Sequence, residues 1–337
     1  MRFQATWKWK APLWGPYSLE TLTIDDAMGR RNRPYARYEK WSINGQGFQG
    51  PELRIPKPEG KIRIGVAGAS EIFGLYETPG YDVTSRIRGE LERLNPGRFE
   101  VVNLSTVGMS IPRVIDLYDR WIRKYDFNAI LYYPSPSMYL DVKAPSSRRS
   151  VTANSSFANA SVSSDWNLRL PIKTWEMLRE RLPDRLQVEL KRYLIERERN
   201  KHPADWVWEH TAPEERVELF RQHLLELIEV VEKDGTQVVV TTHANRFRNI
   251  PIEDRDKYIV GWMRFYPRAN GETLLDIERK GNQVVRELRE KDDVPIVDLD
   301  IVVGKDSGRF ADCVHFTDTG ASVAAKAMVE KILSLYP

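Results

Sequence analysis

The chain has 337 residues, of which 41% are hydrophobic and 29% are charged, so it is long and apolar enough to bury a sizeable core. Its 51 lysines and arginines nearly balance its 48 aspartates and glutamates, and a net charge of +3 gives no electrostatic reason to expect a nucleic-acid partner. Cys313 is the one cysteine, which excludes an intrachain disulfide framework and a thiolate zinc cluster.

The sequence contains no run of the roughly 18 consecutive apolar residues that a membrane span needs, and no signal-peptide core follows Met1. We therefore expect no membrane span in this chain. The compartment stays open, because a native start predicts a cytoplasmic protein and a truncated longer chain predicts an extracytoplasmic one. The oligomeric state is equally open.

Residues 1–60 are rich in aromatic and basic side chains and carry turn signals such as the Asn-Gly-Gln-Gly run at residues 44–47. They predict an irregular leader. Its aromatic side chains are expected to pack across the surface of the domain that follows.

From residue 61 onward, short apolar runs alternate with longer stretches that have the apolar spacing of helices. Strands are predicted at residues 61–67, 99–104, 128–133, 236–242 and 294–299, and helices at 82–94, 112–125, 213–233, 271–290 and after Thr319. This alternation predicts one α/β domain over residues 61–337, in which a doubly wound, parallel five-stranded sheet lies between two layers of helices.

A large insertion is predicted between strands three and four, at about residues 141–211. Residues 146–165 are rich in Ser, Asn and Ala and are expected to form a loop or a lid, whereas residues 171–200 are expected to be helical. The tryptophans of the insertion can form a stacking surface for sugar rings or the insertion's own small core. They are Trp166, Trp175, Trp206 and Trp208.

Ligands of parallel α/β sheets bind at the carboxyl ends of the strands, so the residues that directly follow each strand are the candidates for a site. Ser70 follows strand one among glycines, Gly108 follows strand two, and Asp312 and His315 precede the last helix. A serine hydroxyl needs a base to become a nucleophile; His315 can supply it, while Asp312 orients the imidazole. The backbone N–H groups of Ser70 and Gly108 can stabilise the oxyanion of a tetrahedral intermediate. These residues predict acyl transfer by a Ser-His-Asp triad.

These segments resemble the sequence blocks of the SGNH (GDSL-type) hydrolase superfamily. The first block, G-D-S-x-x-x-G, matches residues 68–74 except at Ala69; the second matches residues 103–108; the last, D-x-x-H, matches Asp312 and His315. The resemblance covers about residues 43–335 apart from the insertion. It implies a flavodoxin-like α/β/α sandwich.

The third block departs from the family pattern. It normally reads G-x-N-D, and its asparagine is the third oxyanion donor, but here strand three is followed by Pro-Ser-Pro-Ser at residues 134–137. Ser135, Ser137 or Asn245, which follows strand four, is a candidate replacement. Loss of one such donor typically costs about 10²–10³ in turnover.

Two further polar residues lie next to these segments. His243 after strand four is either a structural residue or a substrate contact, and Glu71 is expected to be a solvated residue or an N-terminal helix residue. No His, Asp and Glu cluster has metal-ligand spacing, so neither a metal nor another cofactor is expected.

Residues 43–52 resemble the lead-in of bacterial members that are linked to exopolysaccharide pathways. The resemblance implies a serine esterase that removes O-acyl groups, above all O-acetyl groups, from a carbohydrate or polysaccharide. An O-acetyltransferase with the same triad and a non-catalytic polysaccharide-binding protein on a decayed hydrolase fold are the alternatives. A lipid acyl hydrolase is less consistent with the modestly polar composition.

Overall fold

Five parallel strands form the central sheet of the protein. The structure is a computed structural model, and it describes residues 19–26, 29–140 and 182–337. The strands are β1 (Ile62–Gly68), β2 (Phe99–Asn103), β3 (Ala129–Tyr133), β4 (Gln237–Thr241) and β5 (Ile296–Val297). Their order is β2-β1-β3-β4-β5, the doubly wound order of flavodoxin-like folds. The predicted α/β fold with a parallel five-stranded sheet is confirmed.

Helices cover both faces of this sheet. They are α1 (Ser70–Phe73), α2 (Val83–Leu94), α3 (Ile111–Leu117), α4 (Asp184–Arg199), α5 (Glu214–Glu232), α6 (Ile252–Met263), α7 (Gly271–Lys291), α8 (Leu299–Val303) and α9 (Asp318–Leu335). Helices α2 and α9 pack on one face, and α3, α5 and α7 on the other. In the part of the chain that the structure describes, no helix is long and apolar enough to cross a membrane.

The side chains of β3 show why the two layers form. Ile130 and Tyr132 belong to the core under α3, α5 and α7, whereas Leu131 and Tyr133 belong to the core under α2 and α9. A strand that is buried on both faces needs apolar residues at every position rather than at alternate ones. This explains the continuous apolar runs in the sequence.

Strand five is shorter than predicted. The apolar run at residues 294–299 contributes two strand residues, because the Asp298 side chain accepts a hydrogen bond from the Ile301 N–H and begins α8. The predicted helix over 112–125 also changes form, since α3 continues as a π-helical turn at Tyr118–Ile122. Helix α6 was not predicted.

The leader contains regular structure within its described residues, where the sequence predicted irregular chain. Two short antiparallel strand pairs are Thr23–Asp26 with Gly29–Asn32 and Arg37–Tyr38 with Trp41–Ser42. The Trp41 ring packs against Phe73 of α1, and its Nε1–H donates to the Gly74 carbonyl at 3.0 Å. The leader therefore supports the end of the helix that begins at Ser70.

The insertion is described from residue 182 onward, where α4 packs against α6. The predicted helical stretch at 171–200 is described only in this part. The predicted loop or lid at 146–165 lies outside the described residues, as do Trp166 and Trp175.

Gly281, in the middle of α7, faces the ring of Pro136 on the loop after β3. A Cβ added at Gly281 would lie 2.5 Å from the Pro136 Cβ. We expect Gly281→Ala to destabilise the protein, because overpacking costs about 1–3 kcal/mol and alanine gains only about 1 kcal/mol over glycine inside a helix. Urea denaturation measures the change.

Gly89→Ala in α2 is the matched control, since no atom lies within 4 Å of its Cβ position. We expect it to raise the free energy of unfolding by up to about 1 kcal/mol. Equal stabilisation by the two substitutions would contradict the close contact between α7 and Pro136.

Candidate active site

Ser70 is the first residue of α1 and follows the buried strand β1 almost directly. Gly68 permits this sharp connection, because a Cβ there would lie 2.9 Å from Ile72 Cγ1 and 3.1 Å from the Tyr133 carbonyl oxygen. Glycine thus allows α1 to begin close against β1 and β3. The Ser70 hydroxyl lies at the carboxyl edge of the sheet as a result.

The loop before α9 brings Asp312 and His315 to the same edge. His315 Nε2 lies 2.9 Å from Ser70 Oγ, and His315 Nδ1 lies 2.8 Å from Asp312 Oδ2. The His315 backbone N–H also donates to Asp312 Oδ1 at 3.0 Å, so the loop itself holds the carboxylate. Three side chains, two of them 245 positions apart, therefore form one continuous chain of hydrogen bonds.

Asp312 and His315 shift each other's pKa in opposite directions. Burial alone would favour the neutral form of each group. Because the two are paired, the pKa of the Asp312 carboxyl lies well below its usual range, and the pKa of His315 lies above its usual 6.5. Asp312 thus stays ionised while His315 gains and loses its proton, which is the division of roles that a triad needs.

Cys313 lies between these two residues without taking part in their contacts. It is buried, and its Sγ donates to the Tyr258 carbonyl oxygen at 3.1 Å. Burial raises the pKa of the thiol well above its usual value. The thiol therefore packs against α6 and is not a nucleophile.

The loop after β2 leaves its backbone open to a ligand at Gly108. Gly108 has a φ of +72°, and no atom lies within 4 Å of the position a Cβ would take. The Asn103 side-chain amide donates to the Ile72 carbonyl at 2.8 Å and ties this loop to α1. The partly exposed Tyr76 ring lies beside these residues, 5.4 Å from the His315 ring.

The residues predicted to replace the missing oxyanion donor are engaged by protein groups. Ser135 Oγ donates to Glu71 Oε1 at 2.9 Å. The backbone N–H of Ser137 donates to Glu278 Oε1 at 3.0 Å, and Ser137 is buried. Asn245 Oδ1 accepts a hydrogen bond at 3.1 Å from the 3₁₀ turn that it caps. The Ser135 proton is thus committed elsewhere, whereas the bond at Asn245 uses its amide oxygen and not the N–H group that would donate to an oxyanion.

Glu71 lies in the first turn of α1, which confirms one of the two expectations for it, and its side chain is buried in the protein, so the other expectation, a solvated residue, is wrong. Its Oε1 lies 3.2 Å from His243 Nε2, and His243 Nδ1 is hydrogen-bonded to Glu278 Oε2 on the other side of the ring. We call these three residues the Glu-His-Glu cluster. His243 is 0% exposed, so it has no surface that a substrate could touch, and the structural interpretation of this histidine is the one that fits.

The Glu-His-Glu cluster carries charge. Burial alone would oppose ionisation, but the carboxylates raise the pKa of His243 to about 10, and His243 lowers the pKa of Glu71 to about 2. As an imidazolium, His243 donates from both ring nitrogens. Asn282 holds its backbone through hydrogen bonds of 2.7 Å and 2.9 Å. Among the described residues, no group of three or more His, Cys, Asp or Glu is arranged to hold a metal ion.

Trp206 and Trp208, the possible sugar-stacking residues, have protein groups against their rings. Trp206 stacks on His202 with ring centroids 3.9 Å apart and an interplanar angle of 10°. The Arg268 guanidinium lies 3.9 Å from the centre of the Trp208 ring. These contacts favour the second interpretation, in which the two tryptophans belong to the packing of the insertion.

No protein-family model matches the chain, and no curated protein matches its sequence significantly. Several solved structures are similar to it. A lipase/acylhydrolase from Enterococcus faecalis is 12% identical over 81% of this chain and 96% of that one, with a TM-score of 0.46. A lipolytic protein of the G-D-S-L family from Veillonella parvula DSM 2008 is 11% identical over 80% and 97%, with a TM-score of 0.44. A catalytic mutant of an acetylxylan esterase from Geobacillus stearothermophilus is 10% identical over 81% and 95%, with a TM-score of 0.45. Similarity of this extent does not transfer an activity to this chain.

His243→Ala tests the energetics of the Glu-His-Glu cluster. Removing the cation between two buried carboxyl groups is expected to lower the free energy of unfolding by about 3–5 kcal/mol at pH 6. Since the pKa of His243 is raised on folding, its stabilisation is complete below about pH 6.5 and is lost as the pH rises through about 10. Denaturation of both proteins between pH 6 and 10.5 should show the difference shrinking with pH. A difference that stays constant over this range would mean that His243 is neutral in the folded protein.

Proposed function

We propose that this protein is a serine esterase, with Ser70 as nucleophile, His315 as base and then acid, and Asp312 as the residue that orients His315. The observation that carries the proposal is the hydrogen-bonded chain from Asp312 through His315 to Ser70, with distances of 2.8 Å and 2.9 Å. Its members have the order and the distances that an activated serine needs.

In the proposed reaction, Ser70 Oγ attacks the ester carbonyl carbon and its proton passes to His315 Nε2. The carbonyl π-electrons move to oxygen, and the backbone N–H groups of Ser70 and Gly108 stabilise that oxyanion. When the intermediate collapses, the bond to the leaving alcohol breaks and His315 protonates the alcohol. Water then repeats the same steps on the acyl-enzyme and releases the acid and the free serine.

The oxyanion hole in this proposal has two backbone donors. The Ser135 hydroxyl, which follows β3 where a third donor is expected, gives its proton to Glu71 instead. Loss of one donor typically lowers turnover by about 10²–10³. We therefore expect a slow enzyme, in which binding of the substrate does more of the positioning.

We propose that the substrate is a short O-acyl ester, above all an O-acetyl ester, on a carbohydrate or polysaccharide. The resemblance of residues 43–52 to polysaccharide-linked hydrolases supports the carbohydrate. The packing of Trp206 and Trp208 against His202 and Arg268 adds no support to it. An O-acetyltransferase differs only in the acceptor, because a sugar hydroxyl takes the place of water at the same acyl-enzyme.

The first test is hydrolysis of para-nitrophenyl esters with acyl chains of two, four and eight carbons. We expect the two-carbon ester to be cleaved fastest and Ser70→Ala to lose the activity, because the variant has no nucleophile. Rates that rise with chain length would point to a lipid acyl hydrolase. A rate of acyl transfer to added sugar that exceeds hydrolysis would point to the transferase.

Ser334→Ala, at an exposed position near the end of α9, is the matched control and should leave the activity unchanged. A fluorophosphonate probe should label the wild type and the control but not Ser70→Ala. If the wild type neither cleaves an ester nor takes up the probe, the esterase proposal fails. A non-catalytic polysaccharide-binding protein is then the better conclusion.

Asp312→Asn tests the role of the third triad member. The asparagine removes the charge that orients and stabilises the imidazolium, so we expect kcat/KM to fall by about 10⁴-fold. Wild-type kcat/KM should drop as the pH falls through a value above 6.5, because His315 must be neutral to accept the proton. In the variant this acidic limb should move to lower pH. An acidic limb at the same pH in both proteins would show that Asp312 does not set the pKa of His315.

A further inference from the structure

We propose that Glu71 is a positioning residue for Ser70, and that the buried Glu-His-Glu cluster behind it sets the lower end of the pH range in which the enzyme works. The inference deepens the serine-esterase mechanism above and rests on it. It starts from the Ser70 hydroxyl, which lies within hydrogen-bonding distance of both His315 and Glu71.

The Ser70 hydroxyl lies within hydrogen-bonding distance of two side chains. Its Oγ lies 2.9 Å from His315 Nε2 and 3.3 Å from Glu71 Oε2. A serine hydroxyl has one proton, so it can donate to only one of these two groups at a time. The productive arrangement donates to His315, and the alternative donates to Glu71.

The protonation state of His315 determines which of these two arrangements forms. A neutral His315 presents a lone pair at Nε2 and receives the Ser70 proton. A protonated His315 donates from Nε2 to Ser70 Oγ, and the Ser70 proton then turns to Glu71. The resulting relay of hydrogen bonds, His315 to Ser70 to Glu71, stabilises the inactive form with the protonated base.

Two hydrogen bonds hold the Glu71 carboxylate in place. His243 donates to its Oε1 from one side, and Ser135 donates to the same oxygen at 2.9 Å. Glu278, from the middle of α7, faces the other ring nitrogen of His243. The remaining oxygen of Glu71, Oε2, is the one directed at Ser70.

Other charged groups near His315 are alternatives to Glu71 as the source of this effect on the protonation of His315. His315 packs between the catalytic loop, the start of α1 and the loop after α1. The charged and titratable groups that face it from these elements are Asp312, Glu71, Glu77 and Tyr76, and the Lys40 ammonium donates to the backbone carbonyl of Glu77. Glu71 differs from the others in its hydrogen bond to the nucleophile. A mere packing role would be served as well by apolar side chains of similar volume, without the cost of burying three ionisable groups.

The test compares the pH dependence of kcat/KM for Glu71→Gln and Glu71→Asp with that of the wild type. Glutamine keeps the shape and removes the charge, so the acidic limb should move to lower pH by on the order of one pH unit. Aspartate keeps the charge but is one methylene shorter, so it loses the hydrogen bond to Ser70 and its acidic limb should move to lower pH as well. An acidic limb at the wild-type pH in either Glu71→Gln or Glu71→Asp would overturn the proposal.

Glu100→Gln is the matched control, because it removes a carboxylate from the buried ion pair with Arg63 at the opposite edge of the sheet, where the two groups are 2.7 Å apart. This variant should lose stability without a shift of the acidic limb. A shift as large as that of Glu71→Gln would mean that the limb responds to stability, and would overturn the proposal.

A measurement without turnover separates this inference from the esterase proposal. The pKa of His315 is read from ring ¹⁵N chemical shifts in the wild type and in Ser70→Ala, which breaks the relay to Glu71. We expect a lower His315 pKa in Ser70→Ala, and an unchanged or higher value would overturn the inference even if Glu71→Gln does not fold. Absence of ester hydrolysis by the wild type would instead reject the esterase and leave the relay to be judged by this titration.

Discussion

Parallel pairing of the strands is the constraint on which the candidate site depends. It aligns the carboxyl ends of β1, β2, β3 and β4 along one edge of the sheet. The loops that follow these strands therefore start next to one another, although they are far apart in sequence. With β1 between β2 and β3, Ser70 has the Gly108 loop on one side and the Ser135 loop on the other. The loop that carries Asp312 and His315 then needs only to return from beyond β5 to bring both residues to Ser70.

Two histidines at this edge have the same kind of partner at one ring nitrogen and different partners at the other. Each has a carboxyl group at Nδ1, Asp312 for His315 and Glu278 for His243. At Nε2, His315 meets a hydroxyl and His243 meets a second carboxylate. A carboxylate on both sides keeps His243 charged up to a pKa of about 10. A hydroxyl leaves His315 able to exchange its proton, so this edge of the sheet holds one histidine with a fixed charge and one that can act as a base.

Much of the fold follows from local patterns in the sequence. The apolar runs of β1 and β3 and the helical spacing of α2 and α7 are strong because these elements are buried on one or two faces, and burial is what periodicity records. Strand five was predicted at the right place but too long, because its end is set by a side-chain hydrogen bond of Asp298 that no periodicity reports. The second strand pair of the leader packs through Trp41 against Phe73, a residue that is distant in sequence.

The candidate site was predictable only where the chemistry has a motif. Ser70, Asp312 and His315 stand in recognisable blocks, whereas Glu71 was expected to be either a solvated residue or an N-terminal helix residue, and neither expectation gave it a partner. A signal for the buried cluster was nevertheless present. Glu278 lies on the same stripe of α7 as Leu274 and Gly281, and a carboxylate inside a buried stripe requires a partner. Finding that partner, His243, required the three-dimensional structure.

The position of Cys313 has a practical consequence for observing this loop. The buried thiol belongs to the residue between Asp312 and Val314, and its carbonyl partner is on α6. An alkylating reagent reaches a buried thiol when the packing around it opens. Since the chain has no other cysteine, the rate of alkylation under native conditions reports local opening around Cys313. The protein thus carries an internal probe for local unfolding of the loop that holds Asp312 and His315.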